Sequence, residues 1–246
     1  MTFNEDVARF EPEAAAQMER LLFDLQQVNA ARKAALLEVQ RAQHDALLRL
    51  ARAAEYRDDD TGVHIVRLGM LSRKLALRLG QDAGYAEMLK LAAPMHDIGK
   101  IGIPDAVLKK PGPLTADERE IMNRHPAIGA EILGRSESPV FLLAAEVAMT
   151  HHERFDGRGY PHGLCGQAIP LSGRIVGVVD FFDALTMDRV YRPAFSDEVA
   201  LEMLLAQSGK AFDPWIVRTF FEHVREFTAC RDALNQQRPD LQALLA

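Results

Sequence analysis

The 246-residue chain is 48% hydrophobic and 26% charged, enough apolar material for one sizeable core with an appendage. A formal charge of -6 argues against a general nucleic-acid coat or a binder of anionic membranes, because either needs a broad basic surface; an anionic substrate must then be met by a local cluster of cations. Only Cys165 and Cys230 are present, without CxxC spacing, so disulfide scaffolding and thiolate metal sites are poor readings and a reducing cytoplasm is the expected compartment. The N-terminus lacks the basic-then-apolar order of a signal peptide, and the apolar stretches are too short or too acidic to span a bilayer.

From Glu13 to Arg57 there is no Gly or Pro, and Ala, Leu, Glu, Gln and Arg dominate, which predicts one long helix. Met18, Leu22, Leu25, Val28, Ala35 and Val39 form a stripe of three- and four-residue spacing that Arg32 interrupts. A helix of about 40 residues is roughly 60 Å long, too long to lie wholly on one small domain. It is read either as a coiled-coil stalk that dimerises and relays a signal, or as a helix folded back on its own domain. Beyond it, the apolar runs at residues 65–79, 86–95, 140–149, 175–185 and 199–205 have helical character, and no strand pair is evident. Thr115 with Glu118 predicts a capping box, and Asp213-Pro214 a helix start. Residues 154–170, rich in Gly and Pro, predict a long loop of the kind often used for lids and binding.

The polar residues inside these apolar runs carry the chemistry. His96-Asp97 closes LKLAAPM, His151-His152 closes LLAAEVAMT, and Asp180 sits within IVGVVDFFDAL. A carboxylate placed there is costly unless it is paired or bound to a metal. Any one of these residues alone is more simply a hydrogen-bonded core or helix-end group; five on three segments point to a site. Neighbours on a helix diverge by about 100°, so His151 and His152 are expected to reach two ions side by side, with Asp97 able to bridge them. Imidazole and carboxylate without thiolate suit iron or manganese, with zinc as an alternative. His125, before Pro126, is expected at a helix start facing inward, and Asp60 shares a helix face with His64, four residues on.

The runs HDIGKIGIPD (96–105), HHERFDGRGYP (151–161), GLCGQAIPL (163–171) and VVDFFDALTMDRVYR (178–192) resemble, in this order, the signatures of HD-GYP phosphodiesterases, a branch of the HD metallohydrolases. The resemblance covers roughly residues 57–223. It implies an all-α HD-domain bundle of about five core helices plus accessory helices, preceded here by the long N-terminal helix. The chain then divides into a helical segment (1–56), a catalytic domain (57–230) and a C-terminal tail (231–246). Position by position, the resemblance implies metal ligation by His64, His96, Asp97, His125, His151, His152 and Asp180. Asp60 is added as ligand of a third ion, although it serves equally as a helix N-cap beside Thr61.

Implied cofactors are two or three divalent ions, iron or manganese, with zinc, nickel or magnesium as alternatives. Two such ions roughly 3.5 to 4 Å apart lower the pKa of a shared water and polarise phosphoryl oxygens for in-line attack. His96, Asp97 and Lys100 are the implied catalytic residues, and Lys100, Arg189 and Arg192 the implied phosphate-binding cations. Arg192 stands where many family members have Lys. Tyr160, of Gly159-Tyr160-Pro161, is read as stacking on a guanine, as contacting a GGDEF-domain protein, or as anchoring the loop. The implied activity is hydrolysis of cyclic di-GMP to linear pGpG or GMP. The alternatives are another cyclic dinucleotide, or a metal-binding signalling module of low turnover. Expected partners are cyclic di-GMP, GGDEF-domain proteins and a second copy of the chain, with no nucleic-acid polymer and no membrane.

Overall fold

The computed structural model describes residues 3–55, 63–188 and 193–237. Among them every regular element is helical, as the periodicity requires, and β-type pairing is limited to isolated bridges between Asp156 and Cys165 and between Ser208 and Phe212. The first helix, α1 (Phe3–Glu55), has 53 residues and is about 80 Å long. It begins ahead of Glu13 and runs through Pro12, whose missing N–H costs one intrahelical bond without ending the helix.

The chain forms two compact units, residues 1–44 and 45–246. In the first, Met18, Leu21, Leu22, Leu25, Val28, Leu36 and Val39 are each more than half exposed. In the second, the last turns of α1 bury Leu47, Leu48, Ala51 and Ala54, spaced to share one helix face. The compact unit therefore starts at Asp45, ahead of the boundary expected after residue 56.

The second unit continues with α2 (Val63–Arg78), α3 (Ala83–Ala92), α4 (Asp105–Leu108), α5 (Ala116–Met122), α6 (His125–Leu133), α7 (Pro139–Thr150), α8 (Leu171–Leu185), α9 (Asp197–Ala206), α10 (Pro214–Glu222) and α11 (Val224–Gln237). Helix starts follow local chemistry. The hydroxyl of Thr115 accepts from Glu118 N while Glu118 accepts from Thr115 N, completing the predicted capping box. Asp213 accepts from Trp215 N at 2.8 Å, with Pro214 opening α10. Helix α11 carries straight through residue 230, where a tail was expected, because Phe227, Arg231 and Leu234 are buried.

Two apolar clusters hold the unit together. One joins α2, α3 and α8 with α9 to α11 through residues such as Leu71, Leu75, Val179, Phe182, Phe220 and Phe227. The other gathers Leu47 and Leu48 of α1, Ile65 of α2, Met95, Ile98 and Ala148 of α7. Between α3 and α4 the chain makes two 3-10 turns, Ala93–Met95 and Ile98–Gly102. The second lies so close to α6 that a Cβ on Gly99 would stand 1.9 Å from the carbonyl oxygen of His125.

Two outcomes follow for stability. On one stretch of α1, Leu48 is 1% exposed and Leu50 is 43% exposed. In urea denaturation Leu48→Ala should cost about 2–5 kcal/mol, and Leu50→Ala no more than about 0.5 kcal/mol. Gly99→Ala should cost about 1–3 kcal/mol in the same measurement, because its methyl group has nowhere to go without moving the start of α6.

Candidate metal centre

Helix ends and short turns bring the polar residues together. His64 is the second residue of α2, and His125 is the first of α6. His151 caps α7 and His152 follows it. His96 and Asp97 sit between the two 3-10 turns. Asp180 faces them from within α8, one turn before Asp183. His96, His125 and His151 are all but fully buried.

One ligand atom from each of Asp97, His125, His151 and His152 lies within 4.8 Å of the others, and the same holds for His64, His96 and Asp180. Asp97 touches both groups. Its Oδ1 is 3.2 Å from His125 Nε2 and 3.7 Å from His151 Nε2, while its Oδ2 is 3.1 Å from His96 Nε2. Asp180 Oδ1 lies 3.6 Å from His64 Nε2 and 3.8 Å from His96 Nε2. Helical spacing would send His151 and His152 to different ions; the structure places both in one group. The reason is that α7 ends at Thr150, so His152 leaves helical geometry and its ring turns back to 4.1 Å from that of His151. It is His96 and Asp97 that divide between the groups.

Proton placement gives the cluster its character. Nδ1 of His96 faces Ala93 O at 3.2 Å, Nδ1 of His125 faces Met122 O at 2.9 Å, and Nδ1 of His151 faces Ala148 O at 2.9 Å. A ring nitrogen facing a carbonyl oxygen must carry the proton, so in each neutral ring Nε2 is a lone pair. His125 Nε2 and His151 Nε2 stand 3.4 Å apart, two acceptors aimed at each other beside a carboxylate. His96 Nε2 and Asp97 Oδ1 are buried without a well-formed hydrogen bond. The donor set of imidazole and carboxylate gathered here fits divalent cations.

The electrostatics divide the rings, lowering the pKa of two and raising that of a third. Burial lowers the pKa of His151, and burial together with His151 lowers that of His152 further, favouring neutral rings that can donate a lone pair. Burial pushes Asp97 up, but the charges of Lys100 and His96 outweigh it and hold its carboxyl well below the usual carboxylate range. For His96, the neighbouring Asp97 overcomes the lowering effect of burial, and the pKa is raised.

Around the cluster, Lys100 Nζ lies 2.8 Å from Asp97 Oδ2, one 3-10 turn along the chain. The loop after His152 is held by buried Glu153, which accepts from His162 N at 2.7 Å and Leu164 N at 2.9 Å. Gly159 fits only because it has no side chain, since a Cβ would meet Arg154 N at 2.3 Å. The Tyr160-Pro161 peptide bond is cis, and the Tyr160 ring stacks on His152 with centroids 4.8 Å apart. Burial pushes the Tyr160 hydroxyl pKa up. Asp60, Arg189 and Arg192 lie outside the described residues. Three contributors were not singled out from sequence: Glu153, Asp183 and Arg67. Asp183 Oδ2 meets His64 Nδ1 at 2.6 Å, and Arg67 Nε lies 2.8 Å from Asp183 Oδ1. A carboxylate one turn after Asp180 in an otherwise apolar helix was the available signal.

Comparison with known proteins agrees with this arrangement. The chain is 48% identical over 181 residues to the cyclic di-GMP phosphodiesterase response regulator RpfG of Xanthomonas campestris, a match covering 74% of this chain and 48% of that protein. It is 42% identical over 199 residues to the 3'3'-cGAMP-specific phosphodiesterase 2 of Vibrio cholerae, covering 81% and 38%. With a cyclic di-GMP phosphodiesterase of Thermotoga maritima it shares 47% identity over 175 residues, covering 71% and 48%. The chain thus spans about half, or less, of the length of these relatives. Among solved structures, a cyclic GMP-AMP specific phosphodiesterase of V. cholerae shares the fold at a TM-score of 0.57 and 21% identity, covering 76% of this chain and 50% of that one. The family model described as HD domain matches residues 14–216, most of the length that supplies the clustered histidines and aspartates, and the chain therefore belongs to the HD domain family.

Proposed function

We propose that this chain hydrolyses a phosphodiester bond of a cyclic dinucleotide, cyclic di-GMP first, to linear pGpG or GMP. The observation that carries the reading is the pair of histidine and aspartate groups joined by Asp97, in a chain of the HD domain family. The group of Asp97, His125, His151 and His152 holds one divalent ion, and that of His64, His96 and Asp180 a second. Iron or manganese is the proposed pair, with zinc, nickel or magnesium as alternatives. Bound there, the ions supply Lewis acidity toward the phosphoryl group and make a water nucleophilic near neutral pH.

The chain's own residues do the rest. Asp97 offers an oxygen to each group and fixes their separation. Lys100, anchored by Asp97 at the rim, meets a non-bridging phosphate oxygen. Arg189 and Arg192 form the second phosphate clamp, as the motif resemblance implies. Tyr160, packed on His152, shapes the loop that receives a base or a GGDEF-domain partner. Asp60, four residues before His64, is the residue that would help hold a third ion, whose added positive charge would favour retention of the linear product. A second reading, 3'3'-cGAMP as substrate, is favoured by the relative at 42% identity whose printed specificity is for that molecule. Among the described residues no helix is long and apolar enough to cross a membrane, which is in keeping with a cytoplasmic substrate.

The deciding experiment incubates protein purified anaerobically and metal-replete with cyclic di-GMP, 3'3'-cGAMP, cyclic di-AMP and mononucleotides, and separates the products by chromatography. Consumption of cyclic di-GMP in preference to the others is expected, together with at least two iron or manganese equivalents per chain by elemental analysis. Chelation and Asp97→Ala should each abolish turnover, and Asp60→Ala should remove about one equivalent and shift products towards pGpG. A single tightly held zinc with full activity would sink the two-ion reading, and preference for 3'3'-cGAMP would select the second substrate.

The exposed apolar stripe of residues 18–39 supports a dimer of two chains through this helix, since apolar stripes of this extent seldom stay unpaired. Light scattering should find a dimer at micromolar concentration, and a chain lacking residues 1–40 should be a monomer with Leu47 and Leu48 still in place. A monomeric full chain at that concentration rules out the stalk.

A further inference from the structure

His96, His125 and His151 each turn Nδ1 to a backbone carbonyl, so their orientation is set by the main chain itself. His64 differs. Its Nδ1 meets a side chain, Asp183 Oδ2, at 2.6 Å. A ring held by a side chain is only as well placed as that side chain. Asp183 is fully buried, and Arg67 reaches it through Nε at 2.8 Å and Nη2 at 2.9 Å. The remaining arm of Arg67, Nη1, donates to Asn235 Oδ1 at 2.6 Å. Asn235 is on α11, beyond residue 216 where the match to the family ends.

This charge pair is buried, next in sequence to Leu68 and Phe182 of the apolar core, where apolar side chains of similar volume would stabilise the core as well or better. What apolar side chains cannot do is hold an imidazole proton. A carboxylate accepting from Nδ1 keeps Nε2 deprotonated, aims it and raises its basicity. On the other side of the ring, Nε2 faces Asp180 Oδ1 at 3.6 Å, and the ring lies edge-on to His96 with centroids 5.6 Å apart.

We propose that Asp183 is a positioning residue for His64, clamped by Arg67 and through it by Asn235, and that the last helix thereby sets how tightly the His64, His96 and Asp180 group holds its cation. The inference rests on the two-ion reading for its effect on metal retention, but its claim about the His64 proton does not.

The test uses the full chain, metal-free and then titrated with manganese(II), the free ion being followed by electron paramagnetic resonance. Long-range proton–nitrogen correlation on histidine-labelled, metal-free protein reports which ring nitrogen of His64 carries the proton. Wild type should take up two equivalents and show His64 protonated on Nδ1. Asp183→Asn should weaken one equivalent by about 10- to 100-fold, leave the other unchanged, and mix the two His64 tautomers. Asn235→Ala should weaken the same equivalent by a smaller factor. Should Asp183→Asn fail to fold, Asn235→Ala, at an exposed position, decides alone. Wild-type affinity at both equivalents in these variants, or equal weakening of both, overturns the proposal. If wild type takes up no manganese, the two-ion reading falls, and the His64 tautomer spectra still settle whether Asp183 holds the proton.

Discussion

The structure turns on the backbone carbonyls that face Nδ1 of three buried histidines and so aim each Nε2 at the same carboxylate. With Nδ1 of His96, His125 and His151 committed to carbonyl oxygens, three Nε2 lone pairs and the Asp97 carboxylate share one buried space. A neutral ring so placed turns a lone pair toward that carboxylate, an arrangement that a divalent cation would reconcile. The fold therefore has to supply the cohesion that the cluster lacks. It does so through apolar packing on either side: Met95 and Ile98 bracket His96-Asp97, Ala148 sits just before His151, and Val178 and Val179 precede Asp180.

Helix termination explains why these residues are at ends. The last carbonyls of a helix have no intrahelical donor. Met122 closes α5, and its carbonyl receives the His125 proton; Ala148 is in the last turn of α7, and its carbonyl receives the proton of His151. Each stop thus satisfies an orphan acceptor and fixes a tautomer at once. His152 gains its place in the same way, since a ring next to His151 in an unbroken helix would have faced elsewhere.

Much of this was legible in the sequence, for physical reasons. Helices followed from periodicity, the capping box from Thr115 and Glu118, and the cluster from charged or polar side chains interrupting apolar runs. What escaped were features set by tertiary contact. Arg67 reads as the polar face of α2 until α8 and α11 close over it. Glu153 reads as one more acid in HHER until the loop folds back so that two backbone amides point at it. The start of the compact unit escaped too, because composition is continuous across Asp45 and only the burial of Leu47 and Leu48 marks the change. The pairing of His151 with His152 was misjudged because helical geometry was extended two residues too far.

The placement of Leu47 and Leu48 has a mechanical side. They belong to the same apolar cluster as Met95 and Ile98, the immediate neighbours of His96 and Asp97 in the chain. Leu47, Leu48, Ala51 and Ala54 at the end of α1 are themselves members of that cluster. The interior is close-packed and transmits strain rather than absorbing it. The final turns of α1 are therefore seated in the same apolar packing that flanks His96 and Asp97, so a twist of those turns would be felt there as a change of packing.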